Sequence, residues 1–383
     1  MEIKLCSLIA LLGFLTIANA QTVFDITKCG ATPNSDITAI LTKTWTDACA
    51  SPTGATIVIP AGTYKCGVVE FKGPCKGPIT FQVDGTLQAP TSPDGDSWIT
   101  FCSFENLAVT GTGTFDGMGS AIYGKQKSKA VVTSRYHKTN WSFNFITNGH
   151  MEGVTSKDSK EFHVNVLGCK NLTISKFTVC APADSPNTDG IHLGRSNGVQ
   201  ILDTKIGTGD DCISVGDGME QLTVERVTCG PGHGISIGSL GQYAGEMPVK
   251  GIFVRNCTLV NTQNGVRIKS WPDQEANDVS DIHFEDIVLD NVDNPIIVDQ
   301  MYCPSNLCKS KGASKVTISN VSFKNIRGTC KLPEAITMTC SSAHPCTNVE
   351  MCDIDIKCTT GPAKAVCTNV KPVITGIMNP PGC

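Results

Sequence analysis

Four short patterns recur between residues 187 and 269: Asn187-Thr-Asp-Gly-Ile-His192, Gly209-Asp-Asp-Cys-Ile-Ser214, Gly232-His-Gly-Ile-Ser-Ile237 and Asn264-Gly-Val-Arg-Ile-Lys269. Each leads into an apolar alternation, so they can be laid over one another. Setting the first apolar residue of each in one column aligns Ile191, Ile213, Ile235 and Val266. The residues two places earlier are then Asp189, Asp211, His233 and Asn264, so one column carries two carboxylates and an imidazole. Beyond the apolar column the outward residues read His192, Ser214, Ser236 and Arg267, and after them Gly194, Gly216, Gly238 and Lys269. Acids at one end of this array and cations at the other suit an acidic substrate.

A wider repeat contains these patterns. Leu172-Thr-Ile174, Val199-Gln-Ile201, Leu222-Thr-Val224, Ile252-Phe-Val254, Ile282-His-Phe284 and Val316-Thr-Ile318 share one alternation and recur at intervals of 23 to 34 residues. Such a period signals a solenoid. The framework of a leucine-rich repeat is absent, and short Val-, Ile- and Thr-rich runs broken by Gly, Asn and Asp read as strands. The expected fold is therefore all-β: a single-domain, right-handed parallel β-helix over residues 21–383, whose coils stack about 4.8 Å apart. Ser35 to Cys49 reads as a helix with Ser35 or Asp36 as N-cap and Ile37, Ile40, Leu41, Trp45, Ala48 and Cys49 on one face. It is expected to cap the N-terminal end, where open strand edges invite aggregation. The Cys- and Pro-rich tail from Cys340 is expected to close the other end.

In this geometry Asp189, Asp211 and His233 stand on three successive coils, spanning about 10 Å. Alternation turns Ile191, Ile213, Ile235 and Val266 inward and Arg267 and Lys269 outward. Asp210 and Asp211 would face opposite ways in a flat strand, so both reach one cleft only if the chain turns or bulges after Gly207-Thr-Gly209. Paired acids suit glycoside hydrolysis, in which one carboxyl is protonated and another ionised. Like charges placed close together separate their proton affinities, and the set titrates as a coupled unit. Taken singly, each Asp is equally explained as a turn residue and His233 as a structural histidine; the constellation carries the reading.

Residues 1–20 combine Lys4, an apolar run from Leu5 to Ala18 and a closing Ala18-Asn-Ala20, the pattern of a secretory signal peptide. The net charge of −4 lacks the basic surplus of a nucleic-acid binder, and no later apolar run is long enough for a membrane helix. Loss of Cys6 leaves an odd number of the 20 cysteines, so at least one is unpaired or pairs between chains. The absence of C-x-x-C and H-E-x-x-H argues against a zinc site, and no metal or other cofactor is expected. Sequons at Asn140, Asn171, Asn256 and Asn320 fit a secreted, disulfide-bonded glycoprotein.

Together, N-T-D from Asn187, G-D-D from Gly209, G-H-G from Gly232 and R-I-K from Arg267 resemble, in order and spacing, the four signature motifs of the polygalacturonases. The resemblance runs over nearly the whole chain after the signal. It implies hydrolysis of α-1,4 links between galacturonic acid units of pectin, with inversion, by a monomeric cell-wall enzyme without a cofactor. It further implies Asp210 as general acid, Asp189 and Asp211 as the pair activating water, and His233 as tuning the acid or touching substrate. Arg267 and Lys269 would bind a substrate carboxylate, Asn187 and Tyr302 the sugar, and Cys212 and Cys229 would form a disulfide. Coil spacing taken alone points instead to a retaining enzyme, but stacking of Cα atoms does not fix where carboxyl tips point. The stretches R-I-K-S-W-P from Arg267 and D-I-H-F-E-D from Asp281 are similar to plant pollen-type members that release single units from chain ends; an endo-acting enzyme is the alternative. More remote readings are a calcium-dependent pectate lyase and a pectin-binding wall protein without activity.

Overall fold

The computed structural model describes residues 21–92, 96–124 and 139–383; the expected signal segment lies outside them. The described residues form two parallel sheets of 21 and 11 strands, wound as a right-handed β-helix. In the smaller sheet the strands stack in chain order from Val69–Lys72 to Lys364–Thr368, so neighbours in space are successive coils. One apolar core runs continuously from Ile26 to Ile356.

The register matches the column read from sequence. Ile191 pairs with Ile213, Ile213 with Ile235, and Ile235 with Val266. All four are buried, and the outward ladder of His192, Ser214, Ser236 and Arg267 follows in the same pairings. β-Branched residues stacked on their like keep this register because a slip by one residue would turn the whole apolar face to solvent.

In the larger sheet the expected column is right for five members and wrong for the sixth. Phe284 pairs with Phe323, and Ile282 with Val321, whereas Val316 and Ile318 lie against Asn277 and Val279. The reason is length: the strands Asn277–Val292 and Val316–Cys330 are long enough to carry two alternating segments, and the earlier one mimics the repeat.

The helix α1 spans Thr38–Cys49, starting later than expected. Ser35 and Ile37 are drawn into strand-like pairing with Lys65: Lys65 N–H donates to Ser35 O and Ile37 N–H to Lys65 O, each at 2.9 Å. Asp36 still serves the helix start, accepting from the Thr38 N–H at 2.9 Å. Leu41, Trp45 and Ala48 are buried against the first coils, and Cys49 is bonded to Cys75. The tail from Cys340 does not form a separate closure. Thr347–Cys358, Lys364–Thr368 and Val373–Asn379 continue the two sheets, tied by Cys330–Cys358, Cys340–Cys346 and Cys367–Cys383. Cys303–Cys308 and the expected Cys212–Cys229 are also formed, leaving seven free cysteines among the described residues.

Candidate active site

Asp210 and Asp211 sit in a bend between the strands Lys205–Gly207 and Ile213–Val215, which lets adjacent residues turn to the same side, with oxygens of both near His233. The bend is pressed against the preceding coil. A Cβ on Gly209 would stand 2.1 Å from Ser185 O, so only glycine fits there. Hydroxyls lock the contact: Thr208 Oγ1 lies 2.7 Å from Thr188 Oγ1, which accepts from Gly209 N–H at 3.1 Å and bonds Ser185 Oγ at 2.6 Å. The buried Cys212–Cys229 disulfide ties this coil to the start of the next.

The three carboxylates have different environments. Asp211 is 1% exposed. Its Oδ1 accepts from Arg267 Nη2 at 2.7 Å and Ser236 Oγ at 2.9 Å, and its Oδ2 accepts from Lys269 Nζ at 2.7 Å. Burial pushes this carboxyl up, but Lys269 and Arg267 outweigh it and hold it below the ordinary aspartate value. Asp211 is therefore ionised. Asp189, also buried, forms no ion pair among the described residues: Ser214 Oγ donates to its Oδ2 at 2.6 Å. Burial, with the nearby charges of Asp210 and Asp211, pushes Asp189 well above the usual carboxylate range. Asp210 is the most open of the three, its side chain 25% exposed. Its Oδ1 accepts from the Asp211 N–H at 2.8 Å and lies 3.0 Å from His233 Nδ1. Among the described residues Oδ2 takes no hydrogen bond, so one oxygen is free for the cleft. The site thus combines a fixed anion, a carboxyl that favours its proton and an accessible carboxyl.

Arg267 and Lys269 reach the acids, but both are engaged by Asp211. Arg267 Nε also donates to Ser236 Oγ at 3.0 Å, which leaves Nη1 and the second Nη2 hydrogen as its donors to a ligand. The Tyr302 ring covers this pair, with Lys269 Nζ 5.2 Å and Arg267 Cζ 6.0 Å from its centroid. Asn187 is exposed, two residues before Asp189. Asp210, Asp211 and His233 could each offer a ligand atom within 4.8 Å of one another. They do not fit a divalent cation well, because Asp211 already spends both oxygens on two cations.

Sequence reasoning placed Ser214 and Ser236 in the ladder without a role; both prove to be hydroxyl bridges to the carboxylates. The alternation that sends one residue outward between two buried ones was the signal available. Asn171, Asn256 and Asn320 are exposed, whereas Asn140 is 1% exposed. Its Nδ2 donates at 2.9 Å to Ser156 Oγ, which lies 2.8 Å from Nδ1 of the buried His163. A glycan has no room there, so Asn140 is removed from the glycosylation sites.

Stacked carboxylates of unequal proton affinity on the outer face of a parallel β-helix define a β-helical glycoside hydrolase. The sequence profile described as Glycosyl hydrolases family 28 matches residues 49–378, and the chain belongs to that family. It is 52% identical over 96% of its length to a polygalacturonase of Medicago sativa, covering 90% of that protein. It is 46% identical over 91% of its length to an exopolygalacturonase of Oenothera organensis, covering 98% of it. Among solved structures, endo-xylogalacturonan hydrolase from Aspergillus tubingensis superposes with a TM-score of 0.78 at 25% identity, covering 92% of this chain and 99% of that one.

Proposed function

We propose that the protein is a secreted polygalacturonase that hydrolyses α-1,4-galacturonosyl links of cell-wall pectin with inversion, acting as a monomer from chain ends. The observation that carries the reading is the division of labour among the three acids. Asp210 presents a free oxygen to the cleft and is the general acid that protonates the leaving glycosidic oxygen. Asp211, ionised, and Asp189 flank the water that attacks the anomeric carbon from the opposite face. His233, against Asp210 Oδ1, orients the acid. The remaining donors of Arg267 and Lys269, beneath the Tyr302 ring, suit the carboxylate of a galacturonate unit. Asn187 contributes a sugar contact at the rim. Exo action draws its support from the Oenothera relative; a location in the cell wall follows from the substrate.

The test is incubation of the secreted protein with polygalacturonate in excess chelator, with products resolved by size over time and the anomer followed by NMR. Monomer of inverted configuration accumulating while the polymer stays long is expected. Rapid shortening would replace exo with endo action. Loss of turnover to the chelator, or unsaturated products, would replace hydrolysis with lyase chemistry. Asp210→Asn is expected to lower kcat by about a thousandfold while oligogalacturonate binding persists. Unchanged turnover would remove Asp210 as the acid.

A further inference from the structure

Two serines stand one above the other in the outward ladder, Ser214 paired with Ser236, and each bridges an aspartate to a nitrogen donor. In the later bridge Arg267 Nε donates to Ser236, which donates to Asp211. In the earlier one His192 Nδ1 lies 2.8 Å from Ser214 Oγ, which donates to Asp189 at 2.6 Å. A hydroxyl has one hydrogen. In the state that activates water Asp189 has given up the proton it otherwise favours; it then takes the serine hydrogen, Ser214 can only accept from the imidazole, and Nδ1 carries the hydrogen. The His192 ring is fixed by stacking on Phe162, with centroids 4.9 Å apart.

We infer that His192 is a positioning residue: through Ser214 it aims Asp189 at the attacking water and sets how readily that carboxylate gains its proton. The inference rests on the assignment of Asp189 as a water-activating group. The two bridges differ in charge. Burial, with Lys269 nearby, holds the His192 imidazole down at about 4, so it is neutral where Arg267 is a cation. The earlier bridge therefore supplies Asp189 with an oriented dipole and no counter-charge, whereas the later one helps fix Asp211 as an anion. The charged groups facing this relay are Asp210, Asp211 and Lys269 around Asp189, and Lys269, Asp211 and Asp217 around His192. None of them replaces the serine hydrogen bond.

The experiment compares wild type, Ser214→Ala, His192→Phe, His192→Asn and the Ser214→Ala/His192→Phe double variant. Two readouts are taken: the acid limb of kcat on polygalacturonate, and the carbon-13 titration of the Asp189 carboxyl in the free protein, assigned against Asp189→Asn. Loss of a hydrogen bond to the ionised form raises the carboxyl pKa. Ser214→Ala is expected to move both readouts up by about one pH unit. His192→Phe, which keeps the stack on Phe162, is expected to move them the same way by less. The double variant should not exceed Ser214→Ala, because His192 acts only through the serine. His192→Asn, whose amide N–H can take the place of Nδ1–H, should stay with wild type. A His192→Phe titration at the wild-type position, or a shift that adds in full to that of Ser214→Ala, would overturn the relay. Wild-type protein that leaves polygalacturonate intact would count against the functional reading alone, and the carboxyl titration would still decide the relay.

Discussion

One inward column of the smaller sheet changes character along the molecule. In its first coils it reads Phe71, Phe101 and Phe143; from there it reads Val166, Leu193, Val215, Ile237, Ile268 and Val298. The aromatic end is built for volume. Trp45 of α1 stacks on Phe71 at 4.5 Å, Phe71 meets Phe101 at 5.3 Å, and Phe101 stacks on Phe143 at 5.6 Å. The aliphatic part is built for regularity: side chains of similar volume fill each coil alike, so the outward residues stay level with one another. The acids stand over the aliphatic part. Filling and positioning are separate tasks, and the column assigns them to different coils.

Three substitutions test this separation. The largest effect on stability is expected at the aromatic end, where Phe101→Ala should cost about 4 kcal/mol in denaturant unfolding and leave kcat per folded molecule unchanged. A matching loss of kcat would show that the aromatic coils also position the site. Lys269→Met should cost about 3 kcal/mol, because Asp211 keeps its buried charge with one cation fewer, and here activity should fall as well. An intact kcat in that variant would make the Lys269 contact purely structural.

Smallest within any one pH unit is a pH dependence at the boundary of the two regions. His163 is fully buried with Nε2 unpartnered, and burial holds its imidazole down at about 3, against an ordinary 6.5. The folded state resists a proton that the unfolded chain accepts. Stability from this residue is complete above the ordinary value and falls by about 1.4 kcal/mol per unit as pH drops from 6.5 toward 3. His163→Gln should reduce that slope in calorimetric scans between these limits. A slope equal to wild type would place the titrating group elsewhere.

What could be read from sequence was whatever one chain segment states by itself. The alternation around Ile191, Ile213, Ile235 and Val266 gives the face of each strand, and identical spacing gives the register. Asp210 and Asp211 imply a bend because they cannot otherwise share a cleft. What escaped depends on partners distant in the chain. Val316 and Ile318 satisfy the repeat as well as Val321 and Phe323 do, and only pairing with Asn277–Val292 decides between them. Asn140 looks like a glycan acceptor until Ser156 closes over it. Arg267 and Lys269 read as substrate ligands because their charges are visible, whereas the carboxylate they first serve lies two coils earlier.

The position of α1 gives the molecule an order in time as well as in space. Each coil rests on the one before it, and the cap is made from the earliest described residues, so a chain emerging from its N-terminus meets a finished template at every step. The coils that carry Asp189, Asp210 and His233 can close before the last strands exist. The growing edge then comes to rest at Val373–Asn379, where Val373 and Ile377 stay exposed.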